Sequence, residues 1–250
     1  MSAPVRVLVN GAKGRMGTEA VRAVSGAKDM VLAAATDLGD DLGEAVRASR
    51  ARVVVDFTRP EDAFRNFEAA LRAGARPVSG TTGFTPEEVR RAEALVKSKR
   101  SGGAVVPNFA VGAALAVRFA REAAARFPSV EVIERHHEGK ADAPSGTALL
   151  AAREIAGARG AKSRGRADSK PVGSRGAEVD GVRVHALRLA GSVAHLEVLF
   201  GGPGETLVVR HDATDRACFM PGVLLAVRTV ARERRFFHGL EAILDAAPGR

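Results

Sequence analysis

The stretch Val5-Arg6-Val7-Leu8-Val9-Asn10-Gly11-Ala12-Lys13-Gly14-Arg15-Met16-Gly17 decides the fold. Val5 to Val9 is short, apolar and rich in β-branched residues, which reads as a buried strand. Three glycines follow, spaced Gly11-x-x-Gly14-x-x-Gly17, and Thr18 to Ser25 then has helical spacing. Glycines between a strand and a helix allow a tight turn and let backbone N–H groups approach a pyrophosphate at the helix N-terminus. The spacing differs from the usual G-x-G-x-x-G. A second apolar run, Met30 to Thr36, ends at Asp37, 20 residues after Gly17. An acid placed there suits a ribose 2′-hydroxyl. A plain Gly turn and a solvated Asp would explain each feature alone, but their joint placement favours a dinucleotide site. Asp37 favours NADH, because a carboxylate repels a 2′-phosphate. Lys13 and Arg15 could meet that phosphate, so use of both NADH and NADPH is expected, with NADH preferred.

Outward from this stretch, strands and helices alternate. Arg52 to Phe57 is a strand, Pro60 to Ala73 a helix, and Arg76 to Gly80 a strand entering the turn Thr81-Thr82-Gly83. Pro86 to Lys99 is a helix, and Gly103 to Val106 a strand closed by Pro107-Asn108-Phe109. Such alternation predicts parallel βαβ units in a Rossmann-like, doubly wound sheet. Ligands bind at the carboxyl ends of such strands, so Gly80, Thr81, Thr82, Pro107, Asn108 and Phe109 read equally as ligand contacts or as plain turn chemistry. Past about residue 108 the pattern changes. Val111 to Phe127 is an Ala-rich helix, Val130 to Glu134 a strand and Ser145 to Ala158 a helix. Gly160 to Gly181 reads as a long loop, followed by strands at Val182 to Leu189, His195 to Phe200 and Thr206 to Val209. The expected architecture is therefore α/β. Residues 1–108 form a dinucleotide-binding domain, completed by a C-terminal helix at 220–250, whose long helical run is Pro221 to Arg232. Residues 109–219 form a second, α+β domain with a mostly antiparallel sheet.

The densest polar segment is Glu134-Arg135-His136-His137-Glu138-Gly139-Lys140-Ala141-Asp142-Ala143-Pro144-Ser145-Gly146-Thr147. Adjacent His side chains point to opposite sides of an extended chain, and no further His or Cys is near, so no metal site is expected. Imidazole suits proton transfer near neutral pH. Lys140 can donate a proton or hold an anion. Ser145, Gly146 and Thr147 open a helix, whose N–H groups and dipole make a carboxylate cradle. A capped helix after a solvated loop would explain any one of these residues; the whole cluster favours a site for a small acidic molecule.

Composition narrows the chemistry. The chain has no Tyr, which excludes a phenol as catalytic acid, and no Trp. Its single Cys, Cys218, excludes a disulfide framework and a thiolate zinc cluster. Lys and Arg number 38 against 29 acids, a formal charge of +9, which admits nucleic acid, acidic membrane or small anions as partners. The only aromatic residues are Phe, which argues against stacking on nucleic-acid bases. No signal peptide is read at the N-terminus and no run of 18 apolar residues occurs, so a cytoplasmic protein without a membrane partner is expected. The basic run from Arg153 to Arg175 reads equally as a solvated segment or as a lid over an anionic ligand.

Glu134-x-His136-His137-x-x-Lys140-x-Asp142-Ala143-Pro144-Ser145-Gly146-Thr147-Ala148 resembles the signature of the dihydrodipicolinate reductase family. The glycine stretch Gly11 to Gly17, Val55-Asp56-Phe57-Thr58-x-Pro60, Gly80-Thr81-Thr82-Gly83-Phe84 and Pro107-Asn108-Phe109-Ala110-x-Gly112 look like the family's other blocks, in its order. The short loop after Asp37 and the stretch Arg175 to Gly181 look like its actinobacterial branch. The resemblance implies reduction of 4-hydroxy-tetrahydrodipicolinate, via dihydrodipicolinate, to tetrahydrodipicolinate on the way to diaminopimelate and lysine. It implies hydride delivery to C4 of a cyclic imine dicarboxylate, with His136 as general acid/base and Lys140 as proton donor. His137, Ser145, Gly146 and Thr147 would bind that small dicarboxylate substrate. Gly11, Ala12, Lys13, Gly14, Arg15, Met16, Asp37, Gly80, Thr81, Thr82, Pro107, Asn108, Phe109 and Ala110 would bind the cofactor. It also implies a homotetramer joined through the sheets of the second domains. One departure stands out: many members have a third His two places before the Lys, where this chain has Glu138-Gly139. Two competing readings are an NAD(P)-dependent two-domain dehydrogenase of another small anionic substrate, and an NAD-sensing regulator that binds nucleic acid. The first has the His136 to Thr147 block against it; the second needs a basic helix or winged motif, and none is visible. Replacing Asp37 by Ala is expected to shift the NADH/NADPH ratio of kcat/KM toward NADPH; an unchanged ratio contradicts the Asp37 assignment.

Overall fold

The computed structural model describes residues 3–160 and 174–247. They divide into two compact units, one holding residues 3–110 and 219–247 and the other the described residues of 111–218. The first unit contains β1 (Val5–Asn10), α1 (Arg15–Gly26), β2 (Met30–Thr36), α2 (Leu42–Ser49), β3 (Val53–Asp56), α3 (Pro60–Arg72), β4 (Arg76–Ser79), α4 (Pro86–Ser98) and β5 (Gly103–Val105). The second contains α5 (Val111–Ala124), β6 (Ser129–His136), α6 (Gly146–Arg159), β7 (Ala177–Val179), β8 (Val182–Arg188), β9 (Ala194–Gly202) and β10 (Glu205–Ala213). The chain then returns to the first unit as α7 (Met220–Arg232), β11 (Phe236–His238) and α8 (Leu240–Ala246).

The first unit's sheet is parallel throughout, in the order β11-β5-β4-β3-β1-β2. Val7, Leu8 and Val9 on β1 and Val53 to Val55 on β3 are buried, as expected of strands covered by helices on both faces. From β1 the chain steps to β2 on one side and then crosses to β3 on the other. The crevice of a doubly wound sheet lies at this reversal, outside the carboxyl ends of β1 and β3. Thr85 and Glu88 form a reciprocal capping box before α4, with Pro86 in its first turn. At the other end of the sheet, the Arg52 and Arg76 guanidiniums donate to the Ala231 and Val230 carbonyls at the end of α7. Cations there complement the negative end of the helix dipole.

Two features differ from the sequence reading. Leu42–Ser49 is a helix that the sequence reading passes over, because only Leu42 and Val46 are buried and eight residues give little periodicity. The C-terminal segment is not one helix: α7 stops before Glu233-Arg234-Arg235, and Phe236–His238 pairs with β5 as a sixth strand. Phe236 meets Phe67 edge-on, with ring centroids 6.3 Å apart, and Phe67 also meets Phe84. This apolar pairing wins over continued helix.

In the second unit the sheet order is β10-β9-β6-β8-β7, with β6 and β8 parallel and the other pairs antiparallel. α5 and α6 cover one face. Their small residues Ala116, Ala120, Ala148, Ala151 and Ala152 let them sit close on Val130, Val132, Val184 and Val198. The covered face of β6 reads Val130, Val132, Glu134, so a carboxylate occupies a core position. β6 continues through His136, two residues beyond the expected strand end. The expected loop 160–181 contains the short strand β7; Lys162, Arg164, Arg166, Asp168 and Lys170 of the basic run lie outside the described residues. Among the described residues no helix is long and apolar enough to cross a membrane. Phe67 is 1% exposed, and Phe67→Ala is expected to cost about 3–5 kcal/mol in denaturant unfolding; a loss under about 1 kcal/mol would contradict its place in the core.

Candidate active site

The first unit gathers its candidate residues at the carboxyl ends of β1, β2, β4 and β5. Gly11 has φ +78°, and a Cβ there would press into the Phe57 carbonyl. A Cβ on Gly17 would run into the Gly11 carbonyl. Gly14 precedes α1 without a side-chain cap, which leaves the first N–H groups of the helix to another acceptor. This loop fits a pyrophosphate, and Lys13, Gly14 and Arg15 on it are exposed. Gly11 and Ala12 both donate to the Thr36 carbonyl, which ties the loop to β2. Asp37 accepts from the Leu38 N–H at 2.8 Å and from the Lys13 N–H at 2.7 Å. These two bonds hold its carboxyl below the usual range, so it is ionised at neutral pH.

Under the loop lies a polar hub. Asp56 is 2% exposed and accepts from Asn10 at 2.7 Å, Thr81 at 2.9 Å, Thr58 at 3.1 Å and Asn66 at 3.3 Å. Burial pushes its carboxyl up against the pull of those bonds. Thr36 donates to Asn10, which extends the hub to β2. Thr81 is thus held in the interior, while Thr82 and Pro107 are exposed. Gly80 lies where a Cβ would strike both Phe57 and Phe109, whose rings meet edge-to-face at 5.7 Å. Asn108 accepts from the Ala110 N–H at 2.9 Å.

The second unit builds its cluster around Glu134. Residues two apart on a strand share a face, so Glu134 and His136 are neighbours. His136 Nδ1 is hydrogen-bonded to Glu134 Oε2. Oε1 accepts from the Ser145 N–H at 3.1 Å and from both terminal nitrogens of Arg188 at 3.0 Å. The β6–β8 register sets Arg188 beside His136. Burial alone would raise the Glu134 carboxyl, but the bonds from His136 and Arg188 outweigh it and hold it below its usual range. Arg188 Nε also donates to the Lys140 carbonyl at 3.2 Å, and Nη2 donates to the Asp142 carbonyl. Lys140 Nζ meets Asp142 Oδ1 at 2.6 Å. Burial would raise the Asp142 carboxyl too, but the Lys140 ammonium prevails and lowers it. Ser145 caps α6 by accepting from the Ala148 N–H at 3.3 Å. Next to it Gly146 is exposed and Thr147 half-buried. His137 is half-buried, Glu138 and Gly139 are exposed, and the Lys140 N–H closes a turn onto the His137 carbonyl.

His136, Lys140 and Ser145 are therefore linked through one carboxylate and one guanidinium. The sequence reading gives neither Glu134 nor Arg188 a role. Glu134 is signalled by an acid in the inward alternation Val130-x-Val132-x-Glu134. Arg188 has no such signal, because it comes from a strand distant in sequence. Asp56 and Asn10 are likewise visible only in three dimensions.

The N-terminal and C-terminal family profiles of dihydrodipicolinate reductase match residues 5–109 and 112–244. A protein of Mycolicibacterium smegmatis named 4-hydroxy-tetrahydrodipicolinate reductase is 49% identical over 244 residues, covering 96% of this chain and 99% of the relative. One of the same name from Geobacillus kaustophilus is 46% identical over 263 residues, with the same coverage. The solved structure of dipicolinate-bound dihydrodipicolinate reductase from Paenisporosarcina sp. TG-14 superposes with a TM-score of 0.85 at 36% identity, covering 95% of this chain and 98% of that one.

Glu134 supplies a test of this geometry. A carboxyl held low in the folded state contributes stability above its ordinary value of about 4, and loses it as pH falls through the lower folded value. Arg188→Met strands a buried carboxylate and is expected to cost about 3–5 kcal/mol at pH 7. The cost should shrink at pH 4, where the stranded carboxyl takes up a proton. Equal costs from chemical denaturation at both pH values would contradict the pairing.

Proposed function

This chain belongs to the dihydrodipicolinate reductase family, and from that premise we propose that it reduces 4-hydroxy-tetrahydrodipicolinate, via dihydrodipicolinate, to tetrahydrodipicolinate. The observation that carries the reading is the folded His136-to-Thr147 block, in which a proton-handling imidazole and a helix N-terminus are tied to the buried Glu134 carboxylate, and Arg188, paired with that carboxylate, holds the backbone of Lys140, whose ammonium meets Asp142. A bound nicotinamide dinucleotide supplies the hydride.

The substrate is a small dicarboxylate; the Paenisporosarcina reductase is bound to a ligand of that class, dipicolinate, in its solved structure. One carboxylate takes the N–H groups of Gly146 and Thr147 at the start of α6, beside the cap Ser145 and with His137 as a further partner. Hydride addition at C4 of an unsaturated imine pushes the electron pair toward the ring nitrogen. The resulting enamine needs a proton on the adjacent ring carbon. Lys140 is the donor and His136 the general acid/base. Asp142 holds the ammonium in place before substrate arrives. The glycine loop from Gly11 to Met16 receives the pyrophosphate, Asp37 the ribose, and Gly80 to Thr82 with Pro107 to Ala110 the rest of the cofactor. NADH is preferred because Asp37 is ionised, and Lys13 and Arg15 permit NADPH. The sheet face turned away from α5 and α6 carries exposed Leu187 and Val208, which supports a homotetramer joined through that face. A cytoplasmic setting, with no nucleic-acid or membrane partner, goes with this role. The +9 charge is then an Arg-rich surface with a local field for anions.

The reading is tested by NADH and NADPH oxidation with freshly made product of dihydrodipicolinate synthase. Turnover with both is expected, faster at low concentration with NADH; no oxidation with either overturns it. Lys140→Ala and His136→Ala should each cut kcat on the order of 10²-fold or more. Near wild-type rates in both would refute the roles given to these side chains.

A further inference from the structure

We propose that Glu134 is a positioning residue that holds the proton of His136 on Nδ1, so that Nε2 is the nitrogen that exchanges a proton with substrate. The inference rests on the reading of His136 as the proton-handling group, and adds a residue and an atom to it.

An ionised carboxylate offers only acceptors, so the imidazole nitrogen facing it must carry a hydrogen. That nitrogen is Nδ1, bonded to Glu134 Oε2. Neutral His136 therefore has its lone pair on Nε2. Glu134 cannot turn away. Its side chain is 0% exposed, Arg188 grips it with two nitrogens at 3.0 Å, and the Ser145 N–H holds Oε1 at 3.1 Å. The two oxygens are not equivalent. Ser145 and both terminal nitrogens of Arg188 converge on Oε1, whereas Oε2 faces the imidazole and one of those nitrogens at 3.2 Å. One buried carboxylate thereby fixes the ring, its tautomer and the start of α6 in a single arrangement.

This asymmetry predicts what an amide does. In Glu134→Gln the single amide oxygen belongs at the Oε1 position, where Ser145 and Arg188 donate. The amide NH₂ is then left facing His136. It must donate to Nδ1, which moves the imidazole proton to Nε2 and removes the lone pair that accepts a proton there.

The test is ¹⁵N NMR of the imidazoles in the ligand-free protein, with His136 assigned by its loss in His136→Asn. Steady-state kinetics accompany it. The neutral ring should be the Nδ1–H tautomer in the wild type and the Nε2–H tautomer in Glu134→Gln. That variant should lose kcat on the order of 10²-fold with KM for NADH unchanged. A purely structural role would lower Tm and leave the tautomer alone. An Nε2–H tautomer in the wild type overturns the proposal, whether or not the variant folds. So does wild-type kcat in a folded Glu134→Gln. If the wild type fails to oxidise NADH or NADPH with the synthase product, the functional reading falls; the ligand-free spectra still decide the tautomer.

Discussion

A carboxylate taken out of water costs several kcal/mol unless opposite charge and hydrogen bonds replace its hydration. Glu134 is such a carboxylate, and the second unit is arranged around meeting that cost. Arg188 on β8 supplies the charge, Ser145 at the cap of α6 supplies an N–H, and His136 supplies a ring nitrogen. Those partners come from two strands and a helix cap. Because Arg188 also holds the Lys140 and Asp142 carbonyls, the loop that carries the ammonium is placed by the same interaction. Chemistry and folding share one set of contacts here.

The first unit solves a similar problem differently. Asp56 is as deeply buried, but its hydrogen bonds come from neutral Asn and Thr side chains. Burial therefore raises its carboxyl, whereas the Arg188-paired Glu134 is lowered. Both acids sit near the carboxyl ends of central strands, beneath residues proposed to bind ligands. One hub organises a loop suited to phosphate through neutral donors. The other combines a fixed negative charge with a proton-handling ring.

What the sequence disclosed follows from how local each signal is. The glycine stretch after a buried strand specifies its own turn, and Gly11 and Gly17 do occupy positions that refuse a Cβ. The alternation of strands and helices led to the parallel sheet, and the His136 block led to the polar cluster. Long-range information was hidden. Arg188 is an isolated cation until β8 pairs with β6. Phe236 is an exposed-looking aromatic until Phe67 covers it. Helix α2 buries too few residues to leave a period. Glu134 was legible in principle, as an acid breaking an inward apolar alternation, but that pattern marks a cost and does not name the partner that offsets it.

The central claim is that Glu134 and Arg188 act as one unit. A double-mutant cycle on folding stability, with Glu134→Leu, Arg188→Met and the double variant at pH 7, measures this most directly. Removing one partner strands the other, so the two single losses should together exceed the loss in the double variant by about 2 kcal/mol or more. Losses that add within about 0.5 kcal/mol would show two independent residues, and the account of a site organised by one buried carboxylate would be wrong.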